Sequence, residues 1–117
     1  MFEAIFEQLE QALPGMLAVS VVADDGIEIE SRIRAEFPHE VMSAELNGAL
    51  RNLKRLQQDI ELGALREVII RTERENLLLF TITEGFFVLL VTMPAEATGK
   101  ARYEVQRRAH LFLQQVS

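Results

Sequence analysis

The sequence predicts an α+β domain built as an α/β/α sandwich, with a five-stranded, mainly antiparallel sheet between one long helix and two terminal helices. Three observations carry this reading. The 117 residues suffice for one compact domain, 1–117, and the composition is that of an ordinary globular chain, 49% hydrophobic and 26% charged. The apolar runs in the second half are apolar at both side-chain parities instead of alternating, the pattern of a sheet buried on both faces. Helical periodicity occurs at the start, in the middle and at the end, so helices are on hand to cover both faces.

From Phe2 to Leu13 the apolar residues Phe2, Ile5, Phe6, Leu9, Ala12 and Leu13 recur at three- and four-residue steps, which marks an amphipathic helix. Pro14-Gly15 ends it, because proline breaks the hydrogen-bond ladder and glycine accepts a left-handed cap. Leu17 to Val22 and Ile27 to Glu30 read as strands joined by a tight turn at Asp24-Asp25-Gly26. Pro38 stands where a helix can begin, and good helix formers run from His39 to about Leu62, where Leu62-Gly63 closes the segment. Its stripe Met42, Leu46, Ala49, Leu53, Leu56 and Ile60 is expected to face the core. Three more strands follow at Val68-Ile69-Ile70, Leu77 to Ile82 and Phe86 to Val91, with turns at Glu75-Asn76 and Glu84-Gly85. After Met93-Pro94 a loop leads through Thr98-Gly99 into a last helix. There Ala101, Val105, Ala109, Phe112 and Leu113 are expected to face inward, while Lys100, Arg102, Arg107 and Arg108 stay in water. The order is α-β-β-α-β-β-β-α.

Several classes of function are disfavoured. The chain has no cysteine, hence no disulfide, thiolate nucleophile or cysteine-ligated metal. Its N-terminus lacks the basic and apolar regions of a signal peptide, and its apolar runs are far shorter than the roughly 20 residues of a membrane helix. A soluble, cytoplasmic protein with no membrane insertion is expected. The net charge of −6 opposes a phosphate backbone, and the scattered bases with few aromatics among them make no nucleic-acid surface. The charge is also unevenly spread: residues 1–50 hold ten acids and two bases, and the remainder eight acids and ten bases.

Candidate chemistry is sparse. His39 and His110 have no metal-site spacing and read as solvated or structural. No hydroxyl lies in a Gly-x-Ser-x-Gly elbow, and Asp24-Asp25-Gly26 is a turn, not a calcium loop. Thr98-Gly99-Lys100 fails as a phosphate loop, because Pro94 stands where its first glycine belongs and Ala101 where it needs Ser or Thr. No enzyme, cofactor or metal is expected. What stands out is Gly48 in the long helix, since a glycine there costs about 1 kcal/mol relative to alanine. With Ala44, Asn47, Arg51 and Arg55 it lies opposite the predicted core stripe, and a second copy of the chain packing there would explain it. The strand Val68-Ile69-Ile70-Arg71-Thr72 would then add an edge to extend the sheet across the pair.

The order of elements and several local patterns resemble the Roadblock domain, the dynein light chain 7 family, which includes a bacterial gliding protein that regulates a Ras-like GTPase. The matching residues are Leu13-Pro14-Gly15 before Ala18 to Val22, Asp24-Asp25-Gly26 before Ile27 to Ser31, and Leu62 to Leu65 before Val68-Ile69-Ile70. They continue with Leu77-Leu78-Leu79 before Phe87 to Val91, and Thr98 to Arg102 opening the last helix. The resemblance implies a profilin/Roadblock-like fold and a non-enzymatic homodimer that binds a small Ras-like GTPase as regulator or scaffold, stimulated GTP hydrolysis being one form of that regulation. The expected dimer and partner interface is Ala44, Asn47, Gly48, Arg51 and Arg55 with Val68 and Ile70. The alternative is a small-molecule sensory domain or an adaptor that regulates no GTPase.

Overall fold

The apolar runs pair into one five-stranded sheet of order β2-β1-β5-β4-β3, every neighbouring pair antiparallel. In chain order the elements of this computed structural model are α1 (Glu3–Ala12), β1 (Met16–Ala23), β2 (Glu28–Ile33), α2 (His39–Asp59) and β3 (Glu67–Arg71), then β4 (Asn76–Thr83), β5 (Phe86–Thr92), α3 (Thr98–Gln106) and α4 (Ala109–Val116). The structure describes residues 1–34 and 38–117, and of residues 39 and 40 the backbone alone. The reading of the His39 side chain therefore lies outside the described residues.

Alternate residues of the central strands feed two separate cores, as strand geometry requires. On one face Val19, Val21, Leu78, Phe80, Val88 and Leu90 meet α1, α3 and α4. The rings of Phe2, Phe6 and Phe112 lie 6.0–6.4 Å apart at the centre of this cluster and are fully buried. Each such ring contributes about 1.5–3 kcal/mol by burial. On the other face Val22, Leu79, Phe87 and Leu89 meet Leu46 and Leu50 of α2. The hairpin at Asp24-Asp25-Gly26 forms as expected: Gly26 has φ +89°, its N–H donates to the Ala23 carbonyl at 2.9 Å, and the Ala23 N–H donates to Ile27.

The last helix departs from its expected form. It is interrupted at Arg107-Arg108, and the second piece starts afresh, with the Phe112 N–H bonded to the Arg108 carbonyl. The interruption carries Phe112 onto Phe2 and Phe6 but turns Ala109 and Leu113 outward, against expectation. Arg108 is also not left in water. Its guanidinium donates to the Glu104 carboxylate at 3.1 Å, to the Glu104 carbonyl at 2.9 Å and to Gln8 of α1 at 3.1 Å, so it ties three helices together. Two boundaries shift as well. The turn before β4 lies at Thr72–Glu75, which leaves Asn76 buried in the strand, and α2 ends at Asp59, short of Leu62.

Burial pushes the Glu104 carboxyl up, but the hydrogen bonds and charges of Arg108 and Arg107 outweigh it and hold the group below its ordinary value of 4.5. A carboxyl lowered on folding stabilises the protein above its unfolded pKa, and that stability is lost as pH falls through the folded value. We expect Glu104→Gln to cost about 1.5–3 kcal/mol at pH 7, the range for hydrogen bonds to charged groups. The gap between variant and parent in urea unfolding should narrow as the pH is taken below 4.5.

Candidate interaction surface

A surface for another protein is built from whatever the two cores leave uncovered, and α2 leaves the most. Its buried side runs through Ser43, Leu46 and Leu50, with Met42 and Asn47 half-buried. The predicted core stripe is thus only partly correct. Met42 and Leu46 turn in, whereas Ala49, Leu53, Leu56 and Ile60 stand exposed, Leu56 by 49% and Ile60 by 56%. The reason is geometric: the helix is rolled so that Ser43, Leu46 and Leu50 are its buried side, which leaves Ala49, Leu53, Leu56 and Ile60 exposed.

Asn47 is pulled in by a particular contact. A methyl group at Gly26 would meet Cβ and Nδ2 of Asn47 at 3.0 Å, so the β1–β2 turn and the helix touch backbone to side chain. Asn47 therefore packs within the protomer instead of belonging to the free outer face, which corrects its expected place. Ala44, Arg51 and Arg55 do lie on that face and are exposed. Around Gly48 a Cβ would meet nothing within 4 Å, so none of the described residues explains the glycine. Beside it the structure adds Val41, exposed by 65%, together with Ala49 and Leu56. Sequence reasoning missed these three. A second apolar sector beside Gly48 was the available signal, and assigning it to the core concealed it.

The sheet contributes an edge. Among the described residues β3 pairs only with β4, and it does so in unbroken register from Glu67 opposite Phe80 to Arg71 opposite Asn76. The β2 edge differs: its pairing with β1 is interrupted at Val21/Val22, and it carries Glu28, Glu30 and Arg32. Charges and bulges are how a sheet edge is protected from pairing; β3 has its charges, Glu67 and Arg71, only at its two ends, with Val68, Ile69 and Ile70 between them and no bulge. Val68 and Ile70 point to the α2 side of the sheet, where they pack against the second core while staying half-buried. Ile69, on the other side, is 39% exposed.

Between α2 and the sheet beneath it there is little room for a small ligand. The cavity between α2 and strands β3, β4 and β5 measures about 20 Å³ and is lined by Leu50, Lys54, Val68, Leu79 and Phe87 among others. That is room for about one water molecule. No group of three or more metal-ligating side chains occurs among the described residues, and none of their helices is long and apolar enough to cross a membrane.

The sequence matches no family model and no curated protein. The fold, by contrast, matches solved structures over nearly the whole chain. It is similar to the gliding protein mglB from Thermus thermophilus, with a TM-score of 0.85 and 13% identity over 96% of this chain and 85% of that one. It is similar to a Roadblock/LC7 domain from Streptomyces avermitilis, with a TM-score of 0.82 and 16% identity over 97% and 95% of the two chains. MglC from Myxococcus xanthus follows at 0.69 and 22% identity, over 97% and 98%. The chain thus has the Roadblock/LC7 fold, in the element order read from its sequence.

The contact between Gly26 and Asn47 sets a mutational expectation. Gly26→Ala combines an unfavourable positive φ with a side-chain clash, and we expect a loss of about 1–3 kcal/mol in urea unfolding. Asn47→Ala in the same background should recover part of it by clearing the space.

Proposed function

We propose that this chain, as one domain, pairs with a second copy of itself and presents the pair, without catalysis of its own, to a small Ras-like GTPase. The observation that carries the pairing is the incomplete cover of one sheet face. Five strands about 4.8 Å apart span roughly 20 Å, and a single helix is about 10 Å across. α2 therefore covers about half of its face, and Val68, Ile70 and Leu77 at the β3 side are left half-buried next to a free edge. A second α2 lying beside the first, across a two-fold axis, would cover them. It would meet Val41, Ala44, Gly48, Arg51, Arg55 and Leu56, and the absence of a side chain at Gly48 lets the helix backbones approach.

The GTPase part of the reading rests on the likeness in fold to gliding proteins together with the sequence resemblance to the Roadblock domain. A paired scaffold acts on a GTPase by ordering its switch loops, which needs shape and charge but no nucleophile. The acidic first half of the chain, at −8 over residues 1–50, suits a basic patch on that partner.

Two outcomes test the reading. By light scattering the native protein should run at twice its 13.3 kDa, and Gly48→Leu should run as the folded monomer with unchanged circular dichroism. Dimeric Gly48→Leu would place the interface elsewhere. In a pull-down with a non-hydrolysable GTP analogue or with GDP, a small GTPase should be enriched in one nucleotide state. Its absence from both would leave an adaptor with no GTPase to regulate.

A further inference from the structure

A second uncovered region lies away from Gly48. An open groove of about 1180 Å³ runs between the C-terminal half of α2 with the segment that follows it and the α3–α4 pair, with β4 beneath. Two departures from regular structure create it. The break at Arg107-Arg108 turns Ala109 and Leu113 outward onto one wall. After α2, Glu61 takes φ +53° and Gly63 φ +87°, which bends the chain so that Leu62, 65% exposed, comes to the other wall. A left-handed glutamate is a strained conformation, kept here where it places an apolar side chain in solvent.

The size and charge of the groove narrow its occupant. A helix about 10 Å in diameter rising 1.5 Å per residue fills roughly 120 Å³ per residue, so the groove holds on the order of ten residues, or nearly three turns. Leu56, Leu62, Ile82 and Leu113 give it the apolar lining that such a helix reads at three- and four-residue steps. The charged groups lining it are Arg66 and Arg102 against Glu67. Glu67 is already occupied, 2.8 Å from the Arg102 guanidinium and 3.2 Å from Gln106, whereas Arg66 has no ion-pair partner among the described residues. Behind this wall residues 98–117 carry four bases and one acid, and that acid, Glu104, is held by Arg107 and Arg108. The acids Asp59 and Glu61 stand on the opposite, α2 side.

We propose that this groove takes an amphipathic helix of a partner protein, with acidic residues along the flank of its apolar stripe that meets Arg66 and the α3–α4 pair. The proposal does not depend on pairing through Gly48: of the α2 residues named for that pairing only Leu56 also lines the groove.

The test uses two fluorescent helical peptides of about 16 residues, both with leucine at the i, i+3, i+4 and i+7 positions, one flanked by glutamate and the other by lysine. Fluorescence anisotropy should show the glutamate peptide binding at least about tenfold more tightly than the lysine peptide, with the difference shrinking in high salt. Leu113→Glu should weaken the glutamate peptide by about tenfold. Arg66→Glu, at an exposed position that leaves the fold intact, should do the same, and Gly48→Leu should leave it unchanged. Equal binding of both peptides, binding of neither, or full binding by Arg66→Glu would overturn the proposal. A fall in mass on light scattering for Leu113→Glu would assign the groove to a second copy and overturn it as well.

Discussion

The rest of the structure depends on a sheet whose central strands, β1 and β5, are apolar on both faces. Such strands cannot leave either face in water, so helices must lie on each side. The two sides are served unequally. Three helices close over Phe2, Phe6 and Phe112 on one side, whereas the other side has α2 alone. A helix about half as wide as the sheet cannot finish the task, and the surfaces offered to partners follow from that shortfall.

The side served by three helices is also the side held by polar links. Glu104 and Arg108 join α3 to α4, Gln8 brings in α1, and Arg102 reaches Glu67 on β3. The single-helix side has fewer such ties among the described residues. Its firm point is the contact of Asn47 with the Gly26 turn. A helix held near its middle, with Val41, Leu53 and Leu56 exposed on either side of that point, is suited to receive a second element.

The likeness in fold to MglB, MglC and a Roadblock/LC7 domain is consistent with this division. At 13–22% identity what is shared with those proteins is the layered architecture, not the sequence of any one surface. A fold carries no function by itself. The pairing proposed for this chain therefore rests on its own half-covered residues Val68, Ile70 and Leu77, on the open space at Gly48 and on the regular β3 edge.

The sequence by itself determined the element order, the five strands, the hairpin at Asp24-Asp25-Gly26 and the burial of the sheet on both faces. These are set by local periodicity and turn chemistry, which act over a few residues. It also marked Gly48, because a glycine inside a helix has a local cost. Only the tertiary structure decided how α2 rolls on the sheet, since periodicity defines an apolar stripe but not which part of it finds strands beneath. Met42 and Leu46 pack into the second core, whereas Leu53, Leu56 and Ile60 stay exposed. The placement of Asn47 was likewise decided by a neighbour twenty-one positions away in sequence, and the break at Arg107-Arg108 by the pull of Phe112 toward Phe2 and Phe6. The interaction surfaces were hidden for the same reason: they are the apolar residues that packing leaves over, and what is left over is known only after the packing is.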